Sequence, residues 1–162
     1  MCGMEIHASN DFAASVAEVF AMLTDRVFLR AVCLASEPLE HAVEVTGGHT
    51  WTRRVLPTPS VVAKLAGPTM AVVDEIFWDE DTPTGRAGRT VVRVEGLPAQ
   101  LDGSVRLVAG GRGATLDYRG DLVVRVPVLG AGLARQAAPL LLEALELQQR
   151  VGEEYLARLR EP

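Results

Sequence analysis

Lysine is almost missing from this chain: Lys64 is the only one, and the rest of the 16 basic residues are arginines scattered along the sequence. With a formal net charge of -5 and no basic stripe, the chain would be repelled by a phosphate backbone. A nucleic-acid partner is therefore not expected. Cysteine is equally scarce, with Cys2 and Cys33 alone. Two thiols fit a reducing cytoplasm, and a Cys2–Cys33 disulfide is the alternative. No apolar run reaches the roughly 18 to 20 residues that span a bilayer, so integral membrane association is not expected. The opening segment Met1 to His7 has no basic region followed by an apolar stretch, so no signal peptide is expected either.

Motifs are missing too. His7, His41 and His49 are not at ligand spacing, and Cys-x-x-Cys and His-Glu-x-x-His are absent, so neither a metal nor a cofactor is expected. Ser-x-x-Lys and Gly-x-Ser-x-Gly are absent, and no catalytic residue is assigned. Gly110-Gly111-Arg112-Gly113 joins two strands with no helix behind it, which makes it a turn rather than a phosphate cradle. No internal repeat and no Pro-, Gly- or Ser-rich linker divides the sequence, so one domain over 1–162 is expected.

What is present is a globular composition, with 48% hydrophobic and 23% charged residues. The length suffices for a hydrophobic core without staples. Met4, Ile6 and Ala8 alternate along a first strand from Met4 to Phe12. Ser15 and Glu18 have capping-box spacing, and Val16, Val19, Phe20 and Leu23 recur at helical spacing to near Asp25. A second short helix covers Val27 to Ala35, and Pro38 stops it.

Strand signals then dominate. Leu39, His41, Val43 and Val45 share one face of a strand, and Gly47-Gly48 marks a hairpin. Trp51, Arg53 and Val55 share one face of the next, with Thr50, Thr52, Arg54 and Leu56 on the other. Pro57 and Pro59 break it, and a helical turn follows from Ser60 to Leu65. Met70 to Trp78 and Arg89 to Val94 read as strands. Leu101, Gly103, Val105, Leu107 and Ala109 form the clearest amphipathic strand. Leu116, Tyr118, Leu122, Val124 and Val126 line one face of a long last strand, and Gly120 in its middle predicts a bulge or a sharp bend.

From about Gly130 the period lengthens. Leu133, Ala137, Leu140, Leu141, Ala144, Leu147 (or Leu145), Val151, Tyr155 and Leu159 define the apolar stripe of a helix of roughly 28 residues, about 42 Å long. Pro139 predicts a kink, or the first turn of the main segment. A meander has no parallel crossover, which excludes a doubly wound nucleotide-binding sheet. The long helix must bury its stripe on the sheet. The expected fold is α+β: a seven-stranded curved antiparallel sheet wrapped around a long C-terminal helix, with two short helices after the first strand.

This order, from Met4 to Leu159, resembles the helix-grip fold of the START-like (SRPBCC) superfamily. More narrowly it resembles an uncharacterised family of such proteins from high-GC actinobacteria. The residues that carry the likeness are Phe12 with Val16, Val19 and Phe20, and the segment Leu56-Pro57-Thr58-Pro59 leading to Lys64-Leu65. The third is Gly120 to Gly130, running into a helix that ends Glu154-Tyr155-Leu156. The resemblance implies a cavity for an apolar or amphipathic molecule and names no ligand.

The expected cavity residues are His41, Trp51, Arg53, Asp74, Ile76, Trp78, Val92, Val105, Leu107, Tyr118, Leu122, Leu140 and Ala144. His41 is either a polar anchor inside the cavity or a histidine satisfied at the sheet edge. Arg53 either points inward to hold a ligand carboxylate or outward to solvent or a neighbouring acid. Asp74 and Glu75 lie on opposite faces of one strand, so one of them meets the apolar side with a raised pKa. Tyr118 offers a hydroxyl to a ligand or to the backbone. Cys33 reads as inert packing.

The leading expectation is non-catalytic binding or carriage of a hydrophobic or amphipathic small molecule, lipid-like or polycyclic. A cyclase or dehydratase type of enzyme would instead need His41, Arg53 and Asp74 to converge. A protein-interaction or co-chaperone module would need an exposed apolar patch. Monomer and dimer both remain open.

Overall fold

A computed structural model describes residues 3–161. Cys2 lies outside the described residues, and so does the disulfide considered for it; Cys33 is a free, buried thiol. The elements follow as β1 (Gly3–Phe12), α1 (Val16–Leu23), α2 (Arg26–Ala35), β2 (Glu40–Thr46) and β3 (His49–Pro57), then a 3-10 turn (Ser60–Val62), α3 (Ala63–Ala66), β4 (Thr69–Trp78), β5 (Arg86–Val94), β6 (Ala99–Gly110), β7 (Gly113–Val124) and α4 (Gly130–Leu159). The strands form one antiparallel sheet in the order β1-β7-β6-β5-β4-β3-β2. The chain's first strand thus pairs with its last, and the other six run as a meander. With α4 packed across β1 and β7 and α2 across β2, this is the expected helix-grip arrangement.

Local chemistry sets the helix starts. Ser15 and Glu18 form the capping box: the Glu18 amide donates to Ser15 Oγ at 3.1 Å and the Ser15 amide to Glu18 Oε1 at 3.0 Å. Each bond satisfies an amide that the first turn leaves without a partner. Asp25 caps α2 with a single bond, accepting from the Val27 amide at 2.9 Å. Ser15→Ala is expected to cost about 1 kcal/mol, read as a lower urea midpoint with unchanged slope.

The core has two packed clusters. Phe12, Val19, Met22, Phe28, Trp78, Val105, Leu107, Leu116 and Leu156 fill one end beneath α1 and α2. Ile6, Leu101 and Leu122 meet Ala134 and Ala138 of α4 at the other. Trp78 is wedged edge-on against Phe20, ring centres 5.4 Å apart. Trp78, Val105 and Leu107 are therefore packed core.

Three details differ from expectation. Gly120 makes no bulge. The β6–β7 register runs unbroken and sets Gly120 opposite Gly103. A Cβ at Gly120 would stand 2.9 Å from the Asp102 carbonyl oxygen, so the glycines serve close strand approach. The last strand ends at Val124, short of Val126. Pro127 has no amide to donate, and Val128 turns the chain with a positive φ of 69°.

The third difference concerns α4. Its helix runs unbroken through Pro139 for 30 residues, and its fully buried face is Gly130, Ala134, Ala138, Gly152 and Leu156. That face is rotated from the predicted stripe, leaving Leu140 at 41% and Leu159 at 64% exposure. Small residues let the helix sit close to the sheet, and a count of large apolar side chains does not see them.

Candidate functional site

Between the two core clusters the sheet and α4 stand apart. The inner compartment there has a volume of about 140 Å³. The outer compartment has about 470 Å³. Arg54, Val72, Val92, Leu101, Leu141 and Ala144 border both, so the two adjoin.

Register explains which side chains look in. Val43, Thr52, Asp74, Val92, Leu101, Leu122 and Met4 form one straight row across all seven strands on the concave face. Arg54 lies one step along, opposite Val72, and so reaches Asp74 diagonally. On this face β3 contributes Thr50, Thr52, Arg54 and Leu56.

The expectation for Trp51 and Arg53 is corrected here. Both point to the convex face, where Trp51 pairs across strands with Glu44 and Glu75 and Arg53 is ion-paired to Glu95. Alternation could not choose between two mixed faces, and the polar one of Thr50, Thr52 and Arg54 faces in because a cavity, not packed core, lies beneath it. His41 shares the side of Arg54 but sits on the edge strand, exposed and away from the cavity walls. Trp78, Val105 and Leu107 are also outside the lining, for the packing reason given above. The cavity does bring together Asp74, Ile76, Val92, Tyr118, Leu122, Leu140 and Ala144 from the expected set. It adds Arg54 and Gln148, which helical and strand periodicity alone did not mark.

Arg54, Asp74, Tyr118 and Gln148 meet on the inner wall among apolar side chains. Arg54 Nη2 donates to Asp74 Oδ2 at 3.3 Å. Burial pushes the Asp74 carboxyl above its ordinary range, against the opposing pull of the Arg54 charge and hydrogen bond. Gln148 on α4 donates to Tyr118 Oη at 2.8 Å, which leaves the phenol proton free to donate. Burial raises the Tyr118 hydroxyl to about 12 and the Cys33 thiol to about 11, so both stay protonated at neutral pH. His41, Arg53 and Asp74, the trio a catalytic reading required, do not converge. Among the described residues no three His, Cys, Asp or Glu side chains gather at a metal-binding position, and no helix is long and apolar enough to cross a membrane.

The outer wall is apolar, with Leu56, Met70, Val94, Leu122, Leu140 and Leu147 around it and Glu143 and Arg150 from α4.

A family model described as a protein of unknown function (DUF2505) matches residues 7–156. The chain belongs to the DUF2505 family. No curated protein matches it in sequence. The fold of this DUF2505 chain is similar to that of TTHA0849 from Thermus thermophilus, with a TM-score of 0.68 and 17% identity over 98% of this chain and 100% of that one. It is similar to Ara h 8.0201, with a TM-score of 0.61 and 11% identity over 96% and 99%. It is also similar to a STAR-related lipid transfer protein fragment from Xanthomonas axonopodis, with a TM-score of 0.60 and 15% identity over 94% and 85%. At these identities the likeness is one of fold.

Proposed function

We propose that this protein binds and carries a hydrophobic or amphipathic small molecule, lipid-like or polycyclic, in the cavity between sheet and α4, without turning it over. The observation that carries the reading is the outer compartment of about 470 Å³, walled mostly by aliphatic side chains and adjoining an inner compartment where Arg54, Asp74, Tyr118 and Gln148 stand among apolar side chains. Its size falls in the range of small-molecule sites, which are mostly apolar with a few convergent polar groups. That one solved structure of this fold is called a lipid transfer protein agrees with the proposal. A free Cys33 fits work in a reducing cytoplasm. The narrower likeness to actinobacterial proteins belongs to the same proposal.

The test is native mass spectrometry of freshly purified protein, with extraction of whatever is retained, beside an Ala144→Phe variant. Ala144 borders both compartments, so a benzyl group there fills space that is empty and leaves the packed clusters alone. The wild type is expected to carry an apolar adduct or to take up an apolar fluorescent probe. Ala144→Phe is expected to lose at least about tenfold in probe affinity at unchanged or higher melting temperature, because filling the cavity buries apolar surface. Wild-type protein that neither retains nor takes up any apolar molecule would sink the carrier reading.

A further inference from the structure

We infer that the outer compartment takes an anionic amphiphile, a long-chain carboxylic acid, with its carboxylate on Arg54 and its chain between the sheet and α4. This rests on the carrier reading and specifies its ligand class.

The geometry of Arg54 motivates it. Arg54 borders both the inner and the outer compartment, and its guanidinium reaches Asp74 on the inner wall. Its side chain is largely buried, with 12% exposure. Among the described residues its one ion pair is a single long contact of 3.3 Å to Asp74. A guanidinium carries five N–H donors in a planar fork that matches a carboxylate bidentately, so Asp74 uses a small part of what Arg54 offers. The outer compartment that Arg54 also borders is walled mostly by apolar side chains. A chain lying against Met70, Val94, Leu122 and Leu147 would bring a terminal carboxylate to that fork.

Charge balance completes the argument. In the empty cavity Arg54 and Asp74 cancel. A ligand carboxylate on Arg54 would leave two anions facing one cation in a buried space, which is costly. Asp74 resolves this by taking one proton from solvent onto its carboxylate. The pair is then guanidinium and ligand carboxylate beside a neutral acid, and no other bond forms or breaks. Asp74 is suited to this because burial already favours its protonated form. The other groups around it do not compete. Cys33 from α2 and Tyr118 from β7 are held neutral. Thr90, Val92, Leu101 and Ile6 from β5, β6 and β1 are uncharged, as is Gln148 from α4. Arg119 borders the inner wall beside Gly120, and Glu143 and Arg150 belong to the outer wall.

The experiment compares a saturated twelve-carbon carboxylate with the alcohol of the same chain, below micelle-forming concentration, by calorimetry or displacement of an apolar fluorophore. Wild type is expected to prefer the carboxylate by about tenfold. Arg54→Met is expected to abolish that preference and keep alcohol binding. Asp74→Asn preserves volume and removes the competing anion, so it is expected to tighten the carboxylate severalfold and leave the alcohol unchanged. The wild-type preference is expected to shrink from about pH 6 to about pH 9, as proton uptake by Asp74 becomes harder, and to be flat in Asp74→Asn. Equal or better binding of the alcohol, or weaker carboxylate binding by Asp74→Asn, overturns the inference while leaving the carrier reading intact. Failure of both chains to bind also overturns it, and native mass spectrometry then decides the carrier reading alone.

Discussion

Gly152→Val is expected to lower the stability of the fold by about 3 kcal/mol. The residue is buried in the second half of α4, and a Cβ placed there would stand 2.6 Å from Phe12 Cε1 and 3.1 Å from Met22 Cε. Neither neighbour can give way. Phe12 and Met22 are fully buried in the main cluster with Val105, Leu107 and Leu116. Valine would relieve part of the helix-propensity cost of glycine, a few tenths of a kcal/mol, which is far less than the overlap of a branched side chain in a close-packed interior. Around Gly152 the seat of α4 is fixed by polar contacts at its rim: Gln149 bonds to the backbone of Asp11, Arg112 donates to Glu153, and Tyr155 donates to Asp25. The helix cannot slide to make room without breaking them. Urea unfolding is the check. A variant as stable as wild type would mean that the helix is free to shift, and that small residues do not set its distance from the sheet.

The same residue shows where the sequence stopped being readable. A long amphipathic helix after an antiparallel meander was legible, because periods of two and of three to four leave marks that survive without any tertiary information. The strand order followed from hairpin turns and the need to cover one apolar stripe. The exact rotation of α4 was not legible. Glycine and alanine carry little weight in a hydrophobic pattern, yet at Ala134, Ala138 and Gly152 they make the contact, and the leucines that dominate the pattern line a half-empty cavity or face out.

The site suffered from a related ambiguity on β3. The face of Trp51, Arg53 and Val55 and the face of Thr50, Thr52, Arg54 and Leu56 are both mixed, so alternation left either one free to point inward. The second faces in because it covers a cavity, where Thr50, Thr52 and Arg54 are tolerated. Tyr118 was legible because the apolar residues of its strand alternate, whereas β4 is apolar on both faces, so the sequence left Asp74 and Glu75 as alternatives, and Arg54 gained its significance only from the register that set it diagonal to Asp74. Gln148 was invisible for another reason: its partner Tyr118 is distant in sequence, and nothing local ties the two.

Arg54→Met is expected to lower stability at neutral pH by about 2 kcal/mol, with the loss fading in acid. Burial raises the proton affinity of Asp74, and the charge and hydrogen bond of Arg54 hold it down. Without Arg54 only the upward push remains. The folded variant then keeps its Asp74 proton well above the pH, about 4, at which the unfolded chain releases it. Across that window the native state binds more protons than the unfolded state, so stability falls as pH rises and stays low beyond the folded pKa; below the unfolded pKa both states are protonated and the deficit disappears. The magnitude is set under the roughly 3 to 5 kcal/mol typical of a broken buried pair, because 37% of the Asp74 side chain remains accessible and solvent contact screens a charge.

Urea titrations at about pH 5 and about pH 8 separate this from simple loss of packing. The arginine stem also buries apolar surface, and methionine replaces most of it. The Arg54→Met/Asp74→Asn double variant should recover most of the lost stability at the higher pH, since no unpaired charge is left to desolvate. An equal deficit at both pH values, with no recovery in the double variant, would mean that Arg54 acts through its contacts alone. A deficit confined to the higher pH would establish Asp74 as a carboxylate that this fold holds charged only because Arg54 stands beside it. That is the condition under which a second anion arriving at Arg54 would drive a proton onto Asp74.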